Sequence, residues 1–145
     1  MSLFLTFDGR VEYNRVPGSA GSTRIVLMVK IGGQLTTAYL DTGMPCVICP
    51  PDVAETLLNL NPADGVEIEA PIRGVEIKGR IHNANVDFVV DEGFSPLIHG
   101  AMIFVPDNAA DVGTDLVIHS FLGMRMCLDS ICFGVDTLVQ QCYLK

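Results

Sequence analysis

Charge is scarce in this chain, and positive charge scarcest: 18% of the 145 residues are charged, with nine Lys and Arg against seventeen Asp and Glu. Nucleic acid and anionic membrane both reward clustered basic residues, so a net charge of −8 argues against either as a partner. Low charge combined with 49% hydrophobic residues excludes a disordered chain. Long apolar runs are also missing, and none approaches the length of a membrane span. The N-terminal stretch has no basic segment ahead of its apolar residues, which break at Asp8-Gly9. It reads as a first strand rather than a secretory leader, and the expected location is cytoplasmic.

Cysteine is present in the wrong number for a disulfide framework. The five thiols, Cys46, Cys49, Cys127, Cys132 and Cys142, are odd in count and come without a leader, so reduced thiols are expected. Cys46-Val47-Ile48-Cys49 has the spacing of a redox or zinc motif. Its central pair favours a strand, however, and a strand sends the two thiols to opposite faces, as small core residues. His82, His99 and His119 share no ligand spacing. No metal and no cofactor are expected.

What is plentiful is Val and Ile in short runs punctuated by Gly and Pro, the composition of a β-rich single domain spanning residues 1–145. Short strands are expected at Leu3–Phe7 and Val11–Val16, turning at Asp8-Gly9. Arg24–Ile31 and Gln34–Leu40 flank Gly32-Gly33 as a hairpin. Pro50-Pro51-Asp52 opens a helix expected to reach Leu60, with Val53, Leu57 and Leu60 on one face. Val66–Ala70 and Val75–Ile81 alternate apolar and charged residues around Pro71-Ile72-Arg73-Gly74, the pattern of an exposed hairpin. Val86–Val90 and Ala101–Val105 read as strands separated by the loop 91–100. Met126–Leu128 and Ile131–Val135 read as a hairpin about Asp129-Ser130. Leu138–Leu144 is expected to close a sheet or meet a partner chain.

The chemistry centres on Leu40-Asp41-Thr42-Gly43, where an apolar strand delivers one carboxylate into a turn. The plain interpretation is an Asx-type turn between hairpin strands, since Asp, Thr and Gly are ordinary turn residues. Against it stands Phe121-Leu122-Gly123, far downstream, where a Gly inside an apolar segment indicates a second backbone passing close by. With the intervening hairpin, these motifs resemble the retropepsin-like, single-domain aspartic proteases in order and spacing, over Asp41 to Asp129.

The resemblance implies an all-β, closed barrel-like acid-protease fold, with one short helix after the catalytic loop and a flap hairpin. It implies that Asp41 is the catalytic carboxylate, that Thr42 hydrogen-bonds across a dimer interface, and that Gly43 lets the turn approach a substrate backbone. Pro71 to Gly74 would form the flap tip, with Ile72, Arg73 and Gly74 contacting substrate together with Val117 and Ile118. Leu122 and Gly123 would support the catalytic loop. Such chemistry needs two carboxylates sharing a proton, one acting as base on water and one as acid toward the scissile carbonyl. The sequence holds one Asp-Thr-Gly and no Asp-Ser-Gly, since Asp111-Val112-Gly113 lacks the hydroxyl and Asp136-Thr137-Leu138 lacks the Gly. A homodimer acting on a peptide or protein substrate follows. Met44-Pro45 departs from the small residues usual after the triplet, and the flap tip is poorer in Gly than retroviral flaps. A non-catalytic peptide-binding or assembly module on the same fold is therefore the second expectation, and a thiol protein using Cys46 and Cys49 the third.

Overall fold

A computed structural model describes residues 8–17, 23–58, 60, 61, 64–112 and 120–145. The expected strand Leu3–Phe7 lies outside them. The described chain is dominated by strands: β1 (Gly9–Glu12), β2 (Asn14–Pro17), β3 (Thr23–Ile31), β4 (Gln34–Leu40), β5 (Val47–Ile48), β6 (Val66–Ile72), β7 (Val75–Phe88), β8 (Glu92–Gly93), β9 (Leu97–Pro106), β10 (Ser120–Leu122), β11 (Phe133–Asp136) and β12 (Gln141–Leu144). Four of them form one sheet in the order β11-β12-β1-β8. The rest form a second, β2-β3-β4-β10-β5-β9-β7-β6, which closes on itself because β3 also pairs with β7. The result is an all-β closed ring, β3-β4-β10-β5-β9-β7, with β2 and β6 as outliers.

Closure explains why several strands are apolar on both faces. Alternate residues enter two different cores: Ala38, Val47, Ile103 and Leu122 pack in one, and their neighbours Tyr39, Ile48, Phe104 and Phe121 in the other. A strand covered on both sides reads as a continuous apolar run, because its period of two divides residues between two dry faces. Cys46 and Cys49 are likewise buried in opposite cores. Burial raises their thiol pKa values to about 11 and about 12. Such thiols stay protonated near neutral pH, the reverse of what a redox or zinc pair requires.

The hairpin of β3 and β4 turns at Gly32 (φ 60°) and Gly33 (φ 83°), a two-residue turn with positive φ at both positions. The helix after the Asp41 loop is shorter and wider than expected. Leu58 N–H reaches the Val53 carbonyl at 3.0 Å, a π turn over Val53–Leu57, and Ala54 and Leu58 are the residues it buries. Residues 91–100 are not wholly a loop, since β8 and the start of β9 lie within them. Met126–Leu128 is no hairpin arm. Buried Leu128 is drawn into the core as a tight turn, where its N–H bonds to the Gly123 carbonyl, and Met126 adopts φ 54°. Leu138–Leu144 divides in two. Leu138 and Val139 are exposed in a turn, while β12 lies between β1 and β11 with both hydrogen-bonding edges occupied. It closes a sheet, and it has no free edge for a partner strand.

Candidate active site

Asp41 stands immediately after β4, beside β10. Strand β10 runs parallel to β4 (Phe121 opposite Tyr39, Leu122 opposite Leu40) and antiparallel to β5 (Phe121 opposite Ile48). It is therefore inserted between the two strands that the Asp41 loop connects. The Asp41 N–H bonds to the Leu122 carbonyl at 3.1 Å, and Met124 and Arg125 N–H groups bond to the Met44 and Pro45 carbonyls at 3.0 and 2.8 Å. These bonds hold the loop over the end of β10. Gly123 makes that approach possible. A Cβ there would lie 2.1 Å from the Cys46 carbonyl oxygen and 2.6 Å from its carbon, well inside contact distance. Leu122, fully buried, anchors the same strand in the core.

Within the loop, Asp41 Oδ1 accepts the Gly43 N–H at 2.9 Å and the Asp41 carbonyl accepts the Met44 N–H at 3.2 Å. The Asx-type turn is real, but it joins strands separated by β10 rather than hairpin partners. Thr42 and Gly43 are exposed in the single protomer. Met44 is turned into the core beside Tyr39 and Phe121 rather than toward the cleft.

Arg24 joins the site although no sequence motif marks it. Its Nη1 donates to Asp41 Oδ2 at 2.7 Å, with both side chains largely covered. The guanidinium lies 5.6 Å from the ring centroids of Tyr39 and of Phe121, within cation–π range of both. No local pattern signals this pair. It exists because β3 and β4 are antiparallel neighbours, with Val26 opposite Tyr39. Position 24 thereby reaches the end of β4.

The hairpin of β6 and β7 turns at Arg73 (φ 52°) and Gly74 (φ 79°), and its tip comes close to Asp41 through Arg73. Its inner residues Ala70, Ile72 and Ile77 pack with Phe104 and Phe121, so Ile72, expected against substrate, is 2% exposed within the core. Arg73 reaches inward, with Nη2 3.9 Å from Asp41 Oδ2 and the guanidinium 5.9 Å from the Phe121 centroid. Arg24, Ile25, Leu40, Asp41, Thr42, Gly43 and Arg73 line an open cleft of about 500 Å³. Among the described residues that line it, Asp41 is the one acid. Val117 and Ile118, expected against substrate, lie outside the described residues. No group of three His, Cys, Asp or Glu among the described residues is placed to hold a metal.

The architecture has a parallel among solved structures. A retropepsin-like aspartic protease from Rickettsia conorii superposes with a TM-score of 0.61, over 94% of this chain and 89% of that one. The chain carries the acid-protease fold. Sequence identity across the superposition is 17%, so the likeness is one of architecture. No protein-family model and no curated protein sequence matches the chain. Within the acid-protease fold, the strand crossing described above is what presents Asp41 at the floor of the cleft, beneath the β6–β7 hairpin.

Proposed function

We propose that the chain is an aspartic endopeptidase acting as a symmetric homodimer, with one Asp41 from each copy. The observation that carries this reading is the position of Asp41, held at the crossing of β4, β10 and β5 on an acid-protease fold, with the β6–β7 hairpin, read as a flap, reaching it through Arg73. One such carboxylate per chain cannot both activate water and protonate the scissile carbonyl, so a second copy supplies the other. Exposed Thr42 and Gly43 suit this arrangement, since a two-fold axis beside the loop brings the two Asp41 side chains together and covers Thr42. In the dimer one carboxylate takes a proton from water as the oxygen attacks the peptide carbonyl, while the other gives its proton to that carbonyl oxygen. The carboxyl that took the water proton then passes it to the leaving nitrogen while the other recovers a proton from the gem-diol, so the C–N bond breaks, the acid and amine products leave and the pair is restored. Because β12 has both edges occupied, the dimer forms through surfaces other than the edge of that strand.

The second reading, a peptide-binding or assembly module without catalysis, draws on a specific observation. Both Asp41 oxygens are engaged within one protomer, Oδ1 by Gly43 N–H and Oδ2 by Arg24. Cleavage of a diverse peptide library between about pH 3 and 7, wild type beside Asp41→Asn, with mass by light scattering, separates the two. The protease reading predicts acid-favoured cleavage by a dimer, abolished in Asp41→Asn with the fold retained. A folded dimer that binds peptides and cuts none, in both forms, establishes the module instead.

A further inference from the structure

We propose that Arg73, at the tip of the flap, selects peptides that present a carboxylate within a residue or two of the scissile bond. The proposal rests on the peptidase reading for its reaction, and on the cleft alone for its ligand.

The first support is a local reversal of charge. The chain as a whole carries −8, yet among the described residues that line the cleft the ionisable ones are Arg24, Arg73 and Asp41, two cations to one acid. The charges of the flap are placed differently from one another. Glu67, Glu69, Glu76 and Lys78 are exposed along it and Arg80 pairs with Glu67, whereas the Arg73 side chain is the one of these charges that reaches Asp41 and Phe121.

The second support is conformational. In a two-residue hairpin turn with positive φ at both positions, Asn, Asp or Gly is favoured at the first, because a larger side chain strains the left-handed backbone. Arg73 holds that position at φ 52°. Strain of this kind clusters where a side chain has work to do at a binding site, and from this position the Arg73 side chain reaches Asp41.

The third is the state of the guanidinium. The nearest Asp41 oxygen already receives Arg24 at 2.7 Å, and Arg73 stands off at 3.9 Å, at ion-pair distance without a hydrogen bond to that carboxylate. Its side chain is 44% exposed. The planar fork of Arg is matched by a carboxylate, which it binds through two parallel N–H···O bonds. The extended backbone of a bound peptide advances about 3.3 Å per residue. A carboxylate that meets Arg73 therefore belongs to a residue adjoining the bond at Asp41, as an Asp or Glu side chain or as the free C-terminus of a short peptide.

The test uses the full-length protein at pH 6, where peptide carboxylates are ionised, and peptides that differ at one position beside the cleaved bond, Glu against Gln. A second pair differs only in a free or amidated C-terminus. Cleavage (kcat/KM) and binding by fluorescence anisotropy are measured in parallel for wild type, Arg73→Gln and Arg73→Lys. The expected result is a preference of about tenfold for the carboxylate peptide, in the range of one charge-assisted hydrogen bond. That ratio falls to near one in Arg73→Gln, is partly kept in Arg73→Lys, and shrinks at about 1 M salt. Which pair shows the preference distinguishes a side-chain carboxylate from a chain terminus. Equal handling of both members in both pairs, no binding of any peptide, or a preference that survives Arg73→Gln overturns the proposal. Selective binding without cleavage upholds the role of Arg73 and refutes the peptidase; cleavage without selectivity does the reverse.

Discussion

Gly123→Ala tests the crossing on which Asp41 depends. The added methyl would sit 2.1 Å from the Cys46 carbonyl oxygen, 2.6 Å from its carbon and 2.7 Å from the Cys46 nitrogen, all backbone atoms with no rotamer to escape into. Either β10 or the 44–46 loop must withdraw by more than 1 Å. The contacts at stake are the bonds from Met124 to Met44 and from Arg125 to Pro45, at 3.0 and 2.8 Å. Two net hydrogen bonds at about 1 kcal/mol each, with overpacking of about 1–3 kcal/mol, give a loss of roughly 3–5 kcal/mol. That is a large part of the stability of an ordinary domain, and at this chain length it lowers Tm by about 10 °C or more. Urea and thermal unfolding at one fixed protein concentration provide the assay, since assembly makes Tm depend on concentration. A variant within about 2 °C of wild type would refute the close approach, and with it the account of how the loop is held.

Arg24→Met keeps the apolar contacts with Tyr39 and Phe121 but removes the partner of Asp41. A largely covered pair with some solvent screening predicts a loss of about 2 kcal/mol by urea unfolding, part of it restored in Arg24→Lys, and an unchanged midpoint would contradict it. Of the five cysteines, Cys132 is exposed and four are buried, with the Cys46, Cys49, Cys127 and Cys142 pKa values raised to between about 11 and about 12 by burial. Native protein should react with one equivalent of a thiol reagent and denatured protein with five, and Cys132→Ser should leave the native form inert. His82 has its pKa lowered, first by burial, against the opposing charge of Asp64 and with that of Arg80. A folded-state pKa below the unfolded value of about 6.5 means stability is complete above that pH and declines as pH falls through and below it. His82→Gln should flatten the slope of unfolding free energy between pH 7 and 5, and an unaltered slope would dismiss the histidine as its source.

Local chemistry determined much of this protein. Gly32-Gly33 and Arg73-Gly74 close two-residue turns because their flanking runs alternate and the turn residues accept, or at Gly actively favour, positive φ. The Val-Ile pair between Cys46 and Cys49 sent the thiols to opposite cores because strand side chains alternate. Gly123 announced a close backbone because no other residue leaves that space, although the sequence does not say which backbone arrives. The failures share one cause. The arm expected at Met126–Leu128 became a tight turn, and Leu138–Leu144 became a turn and an interior strand, because burial of Leu128 and pairing with β1 are long-range demands that propensity does not encode. The tertiary structure alone decided that β10 separates β4 from β5, turning an ordinary Asx-type turn into the floor of a cleft. It alone brought Arg24, seventeen positions away, and Arg73, from the tip of the β6–β7 hairpin, to the Asp41 carboxylate. A pair of charges meets by strand register and ring closure, which are properties of the whole packed chain.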